Sequence, residues 1–283
     1  MDASSLSFKT LHDAAKRVLE TPVARDKAIL TTIIHEQWIA GKIELARDSS
    51  SDLEENKAPR IPSRDERVKI ISSDKVRSLG KGNSDVSRRK ILHSLCHIES
   101  WAIDLSWDIV VRFGNWNAKD MPREFFDDFV DVANDEARHH LLLLKRLEEI
   151  GGFYGEFQAH DGLWESALKT SDSLEERLVI EHCVHEARGL DVIPNTIRKF
   201  RENGDEESAM LLETIIYPEE ISHVKAGLRW FKYLQNDTSD ETEERTVQKF
   251  RDIVKKCFYG KLKPPFNDEA RAKAGFDTRF YAQ

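Results

Sequence analysis

Two short strings, 84 residues apart at their central Glu, limit what this chain can fold into: Asn134-Asp135-Glu136-Ala137-Arg138-His139-His140 and Pro218-Glu219-Glu220-Ile221-Ser222-His223. Both contain Glu-x-x-His, and residues three apart share one face of a helix. Each string lies in a long stretch with apolar residues at helical spacing. In the first the stripe runs Phe125, Phe129, Val132, Glu136, His139, Leu143, Leu147, Ile150. In the second it runs Ala209, Leu212, Ile216, Glu220, His223, Gly227, Trp230, Leu234. A carboxylate and an imidazole therefore occupy positions where a core leucine belongs. Ionised carboxylates are rarely buried without a partner, because desolvation costs several kcal/mol.

A further helix precedes each string and carries one more inward Glu. The first is predicted from Ser84 or Asp85 to Phe113, with the stripe Leu92, Leu95, Glu99, Ala102, Ser106, Ile109, Phe113. Its Glu-x-x-His partner is predicted from about Pro122 to Gly151-Gly152. The third helix is predicted from Ser173, with Glu176 in capping-box spacing, to about Glu202. Its stripe is Val179, Cys183, Glu186, Leu190, Ile193, Ile197, Phe200. The fourth follows Asn203-Gly204-Asp205 and ends near Leu234.

At ~1.5 Å per residue, Glu99 and Glu136 each lie about 21 Å from the turn joining their helices, so antiparallel packing sets them level. Glu186 and Glu220 match in the same way. The six residues Glu99, Glu136, His139, Glu186, Glu220 and His223 then form the ligand set of a carboxylate-bridged two-metal site in a four-helix bundle. An oxygen and nitrogen donor set without thiolate suits iron or manganese. Asp135 and Glu219, each directly before a ligand Glu, can serve as outer carboxylates to the ligand histidines or as solvated helix residues. Cys96 and Cys183, each three residues before an inward Glu, are expected to line the pocket. His97, His140, His182 and His185 fall off the stripe and are expected to pack, to support ligands from outside, or to face solvent. His35 and His160 are expected in ordinary packing or at the surface.

The remainder frames this bundle. Phe8 to Leu19 and Ala24 to Ile43 read as helices packing outside it. Residues 48–86, broken by Pro59, Pro62, Gly80 and Gly82, read as an extended connector anchored by Val68, Ile70 and Ile71. Residues 151–172 read as a crossover between two hairpins, and Lys261 to Gln283 as an ordered arm. The expected division is 1–83 for the N-terminal helices and connector, 84–236 for the bundle, and 237–283 for a C-terminal helix and arm. Pro194 and Pro218 are expected to kink their helices near the ligands.

No apolar run approaches the ~20 residues that span a bilayer, and Met1-Asp2-Ala3-Ser4-Ser5 does not begin a signal peptide. With three cysteines, an intracellular setting without a disulfide framework is expected. The net charge is −8, yet residues 60–90 and 245–283 each hold ten Lys/Arg against four Asp/Glu, while 91–244 hold fifteen against thirty-three. Those basic segments either dock on an acidic bundle or form an anion-attracting rim.

The pattern resembles the ferritin-like superfamily. The strings His97-Ile98-Glu99, Asp135 to His139, Glu186 to Asp191, Glu220 to His223 and Leu262-Lys263-Pro264-Pro265-Phe266-Asn267 resemble a branch of it, the domain-of-unknown-function 455 family. That resemblance implies an all-α, ferritin-like bundle holding two Fe ions, with Mn as the alternative. It implies O₂- or peroxide-activating hydroxylase or oxidase chemistry on a small-molecule or RNA substrate, served by a separate electron-donor reductase. Ferroxidase or iron-handling activity, and a non-enzymatic metal-stabilised interaction protein, are the other readings. The oligomeric state is not legible.

Overall fold

The computed structural model describes residues 6–45, 57–76, 78–114, 121–235, 242–258 and 261–282. The chain is all-α. Among the described residues the extended pairing consists of isolated bridges, Thr10 with Glu44 and Ile70 with Ala159. It divides into two compact units, residues 1–164 and 165–283, and the division falls inside the segment expected to cross between hairpins.

In the first unit, α1 (Leu11–Leu19) starts where the Thr10 hydroxyl accepts from the Asp13 N–H, and α2 (Ala24–Ile39) follows. α2 stops four residues short of the expected Ile43. The two long helices are α3 (Asp85–Phe113) and α4 (Arg123–Glu149). Ser84 caps α3 by accepting from Ser87 N at 3.2 Å, and Pro122 stands just before α4. They run antiparallel: Gly114 lies against Phe126, the Cys96 carbonyl accepts from His140, and Arg89 lies against Gly152. α1 packs on α3 and α2 on α4. α3 is therefore buried almost all round, from Glu99 to Val111.

The connector is tied down at several points. Val68 is buried, but Ile70 is exposed; its segment is held by backbone bonds, Ile71 N to Ala159 O and Ala159 N to Lys69 O. Deeper in, Lys27 and Arg64 converge on the buried Asp104, and Arg64 also reaches the Ser100 hydroxyl at 2.7 Å. Residues 48–56 of the connector, and the expected helix breaker Asn115 to Asn117, lie outside the described residues.

In the second unit the two expected helices are irregular. α6 (Leu174–Val179), entered through α5 (Gly162–Lys169) and capped by Ser173, passes into a π-helical segment, Ile180–His185, and then into α7 (Glu186–Glu202). α8 (Glu206–Leu211), capped by Asp205, passes through a π segment, Leu212–Ile216, into α9 (Tyr217–Gln235). Antiparallel pairing is fixed by Arg201 with Glu213 at 2.8 Å, Gly189 opposite Glu220, Gly227 opposite His182, and Gln235 with Glu175 at 3.1 Å. α7 continues through Pro194. α10 (Glu243–Cys257), α11 (Asp268–Lys273) and α12 (Thr278–Tyr281) complete the unit. Phe250 gathers Phe231, Phe276 and Phe280 around it. The expected boundary between 236 and 237 lies outside the described residues.

Candidate metal centre

In the first unit the antiparallel pairing of α3 and α4 brings Glu99, Glu136 and His139 together. All three are buried. His139 Nδ1 lies 3.7 Å from Glu99 Oε2 and 3.5 Å from Glu136 Oε2, and one potential ligand atom from each residue lies within 4.8 Å of the others. Burial pushes the Glu99 carboxyl well above its usual range. The neighbouring Glu136 carboxylate pushes it the same way, and His139 opposes both. Asp104, five residues along the same helix, is equally buried but has its charge answered by Lys27 and Arg64. Glu99 faces another acid.

In the second unit Glu186 opens α7 directly after the π segment, and Glu220 and His223 share one face of α9. Glu220 and His223 are buried and Glu186 is half-buried. His223 Nδ1 lies 3.8 Å from Glu220 Oε2, and again one ligand atom from each of the three lies within 4.8 Å of the others. α7 passes close to this carboxylate: a Cβ on Gly189 would sit in ordinary contact with Glu220 Oε2, at 3.6 Å.

Each unit therefore presents two carboxylates and an imidazole at one point. Distances of 3.5–3.8 Å exceed a hydrogen bond. They are slightly wider than the ~3.0–3.4 Å separating two ligands that each sit about 2.1 Å from one ion. The donors suit a divalent iron or manganese ion. The thiols nearby do not compete: burial, with Glu99 beside one and Glu186 beside the other, pushes Cys96 and Cys183 well above the usual thiol range. Both are fully buried, and thiolate is the form that binds metal.

Asp135 is half-buried and pairs with Arg138 at 3.0 Å. Glu219 is half-buried, with its carbonyl accepting from the Ser222 hydroxyl. His35 forms a 3.0 Å pair with Asp131, and His160 accepts from the Gly162 N–H. His185 lies 3.8 Å from Glu181 and 3.1 Å from the Ser166 hydroxyl.

Two features had no sequence signal. One is Glu181, fully buried inside the π segment. The other is a nest around Tyr154. His93 stacks on Tyr154 at 5.4 Å, His140 meets it edge-on at 5.5 Å, and His97 Nδ1 lies 3.0 Å from its hydroxyl. Burial lowers His93 and His140 to about 4 and His97 to about 3, so the nest is neutral at ordinary pH. Tyr154 is raised to about 12. Its histidines lie close to Glu99 and His139 in the chain, but Tyr154 itself comes from the crossover, which carries no helical stripe.

A protein of Haemophilus influenzae described as "Uncharacterized protein" is 35% identical over 188 residues, which cover 65% of this chain and 63% of that protein. The match thus spans somewhat less than two thirds of the relative's length. No solved structure matches. The family model "Protein of unknown function (DUF455)" matches residues 20–282, nearly the full length and both triads, and the chain belongs to that family.

Proposed function

We propose that each triad holds one metal ion and that the two ions work as a pair, iron ahead of manganese, in an oxidoreductase that activates dioxygen or peroxide for hydroxylase- or oxidase-like chemistry. The observation that carries this reading is the repeat itself: twice, a Glu on one helix meets Glu-x-x-His on the next, at positions that are buried except for the half-buried Glu186. Pairing of the ions is supported by the sequence, through the spacings of 37 residues from Glu99 to Glu136 and 34 from Glu186 to Glu220. The resemblance to ferritin-like four-helix bundles supports it too.

When bound, such ions supply one-electron redox changes and a place for an oxygen donor. The chain's own part is different. Glu99, Glu136, Glu186 and Glu220 would supply the negative charge that offsets the cations, and His139 and His223 would supply the nitrogen donors. The apolar residues beside the ligands, Leu143 and Ala102 in the first unit and Leu190 and Val224 in the second, keep bulk water away. Cys96 and Cys183 remain protonated and so are spared as ligands.

The substrate is a small molecule or an anionic RNA drawn by the basic segments, and electrons come from a separate reductase. Among the described residues no helix is long and apolar enough to cross a membrane, and all three cysteines are free. This fits a reducing intracellular setting.

The test is anaerobic reconstitution with Fe(II), metal analysis, Mössbauer spectroscopy, and O₂ uptake. About two coupled irons per chain, with O₂ consumed and a stoichiometric product formed from a reductant, is the expected result. Less than one iron per chain sinks the metal assignment. Iron bound without any O₂ uptake sinks the oxidoreductase. Assembly into a large shell that accumulates ferric mineral would make iron handling the better reading.

A further inference from the structure

Pro194 lies inside α7. A proline has no N–H to offer the carbonyl four residues back, which here is that of Leu190. That carbonyl accepts instead from Asn267 Nδ2 at 3.1 Å. The same amide nitrogen donates to the Tyr217 hydroxyl at 2.7 Å. The Asn267 backbone N–H donates to Asp191 Oδ1 at 2.8 Å, and its Oδ1 caps α11 by accepting from Ala270 N at 3.2 Å. One turn further on, Arg271 grips the Asp191 carboxylate through Nε at 2.9 Å and Nη2 at 2.6 Å, with its own side chain almost fully buried.

These contacts fall close to the second triad. Leu190 is one helical turn beyond Glu186, and Tyr217 is three residues before Glu220. A single amide thus joins α7 to α9 within about one turn of the two residues that carry the carboxylates, where a Cβ on Gly189 would be in contact with Glu220 Oε2 at 3.6 Å. The contact also joins two strings the sequence had set apart, Glu186 to Asp191 and Leu262 to Asn267. Without the amide, the carbonyl freed by Pro194 turns to water and α7 gains a hinge one turn from Glu186.

We propose that Asn267 is a positioning residue for the Glu186, Glu220 and His223 triad, setting the separation of its two carboxylates. The proposal rests on that triad being a metal site, and the test separates the two. Co²⁺ is titrated anaerobically into metal-free full-length protein, and its visible bands and affinity are read for wild type and Asn267→Asp. Aspartate keeps an oxygen to cap α11 but cannot donate to the Leu190 carbonyl.

The expected result is that one of the two Co²⁺ ions binds about tenfold more weakly, with shifted bands, while the other is unchanged. Loss of an outer partner commonly weakens a metal site by about 10–100-fold. Tyr217→Phe, which removes only the other acceptor of the amide, is expected to act in the same direction to a smaller degree. It decides the matter if Asn267→Asp does not fold. Wild-type affinity and bands in the folded variants overturn the positioning role while leaving the metal site standing. A wild-type protein that takes up no Co²⁺ overturns the metal reading and this proposal with it.

Discussion

Two glycine-to-alanine changes in the second unit are expected to move stability in opposite directions. Gly227 lies in the middle of α9 and Gly189 in α7. In an ordinary helix interior each change gains about 0.5–1 kcal/mol, because glycine loses the most conformational freedom on folding. At Gly227 that gain is overridden. An added Cβ would overlap the His182 carbonyl oxygen, and would lie 2.6 Å from the carbonyl carbon and 2.9 Å from the His182 Cβ. The carbonyl atoms are backbone of the π segment, so no rotamer change relieves the clash and α9 must move outward. Overpacking of this kind costs about 1–3 kcal/mol, and a backbone obstacle places it toward the upper end. The net change for Gly227→Ala is then a loss of about 1–2 kcal/mol. For a domain of this size that lowers the Tm by roughly 2–8 °C, at ~2–4 °C per kcal/mol.

At Gly189 the nearest atom to an added Cβ is Glu220 Oε2 at 3.6 Å, an ordinary contact. Gly189→Ala is therefore expected to raise the Tm of the metal-free protein by about 1–4 °C. Differential scanning calorimetry of metal-free wild type and both variants reads the comparison. A Gly227→Ala protein as stable as wild type would refute the close approach of α9 to the π segment.

Glu99→Gln is expected to stabilise the metal-free protein at pH 8 by on the order of 1–3 kcal/mol, since it removes one of two adjoining buried acids. The advantage should shrink as pH falls toward 4.5, where the unfolded carboxyl is itself protonated, and should reverse when metal is added; urea unfolding across pH with and without Mn²⁺ reads all three. His93, held neutral with its pKa lowered to about 4 by burial, contributes stability that is present above 6.5 and lost as pH falls through 4. The gap is worth about 3 kcal/mol at ~1.4 kcal/mol per pH unit. His93→Gln, which can still accept from the Gly155 N–H, should flatten the acid limb of a urea-midpoint curve, and an unchanged limb counts against a buried neutral imidazole. Arg271→Ala leaves the Asp191 carboxylate without its bidentate partner and should cost about 3–5 kcal/mol in chemical denaturation.

The parts of this fold that were legible in the chain are those set by local chemistry. Ser84 and Ser173 stand at helix starts because their side chains accept from the N–H three residues on. Glu99, Glu136 and His139 converge because two uninterrupted helices keep a 3.6-residue period on either side of a turn. The second unit departs from that period. Its two π segments were not legible, because a π turn answers to neighbouring elements as much as to its own residues. In the second π segment the Tyr217 N–H reaches back five residues to Leu212, immediately before Pro218, which has no N–H to continue an α register. Across the junction of α6 with the first, Leu178 to Val184 are all buried, and no apolar stripe at helical spacing marks seven inward residues in succession. The Tyr154 nest was hidden for a related reason: its tyrosine lies in a crossover with no period to read. Lys27, Arg64 and Asp104 come from α2, the connector and α3, and no spacing rule relates them.

A folded chain keeps a carboxylate out of water by one of a few means, and this protein uses more than one. Asp104 is answered by Lys27 and Arg64, Asp108 by Arg112 four residues on, and Asp191 by Arg271. In each case a fixed cation from the chain offsets the desolvation. Glu99 meets a different neighbourhood: burial raises its carboxyl, and the charge that bears on it most strongly, Glu136, raises it further. Two like charges a few ångströms apart in a buried site are worse than either alone, so the arrangement is costly in the metal-free chain. Protonating one of them removes the repulsion but leaves no role for the imidazole directed at both. A divalent ion would offset both acids and give the histidine a role as a third donor. The same reasoning extends to Glu186, Glu220 and His223, where the helix gives up its regular form immediately before Glu186. Stability is being exchanged for a fixed set of donors, and that exchange is intelligible if an ion returns it.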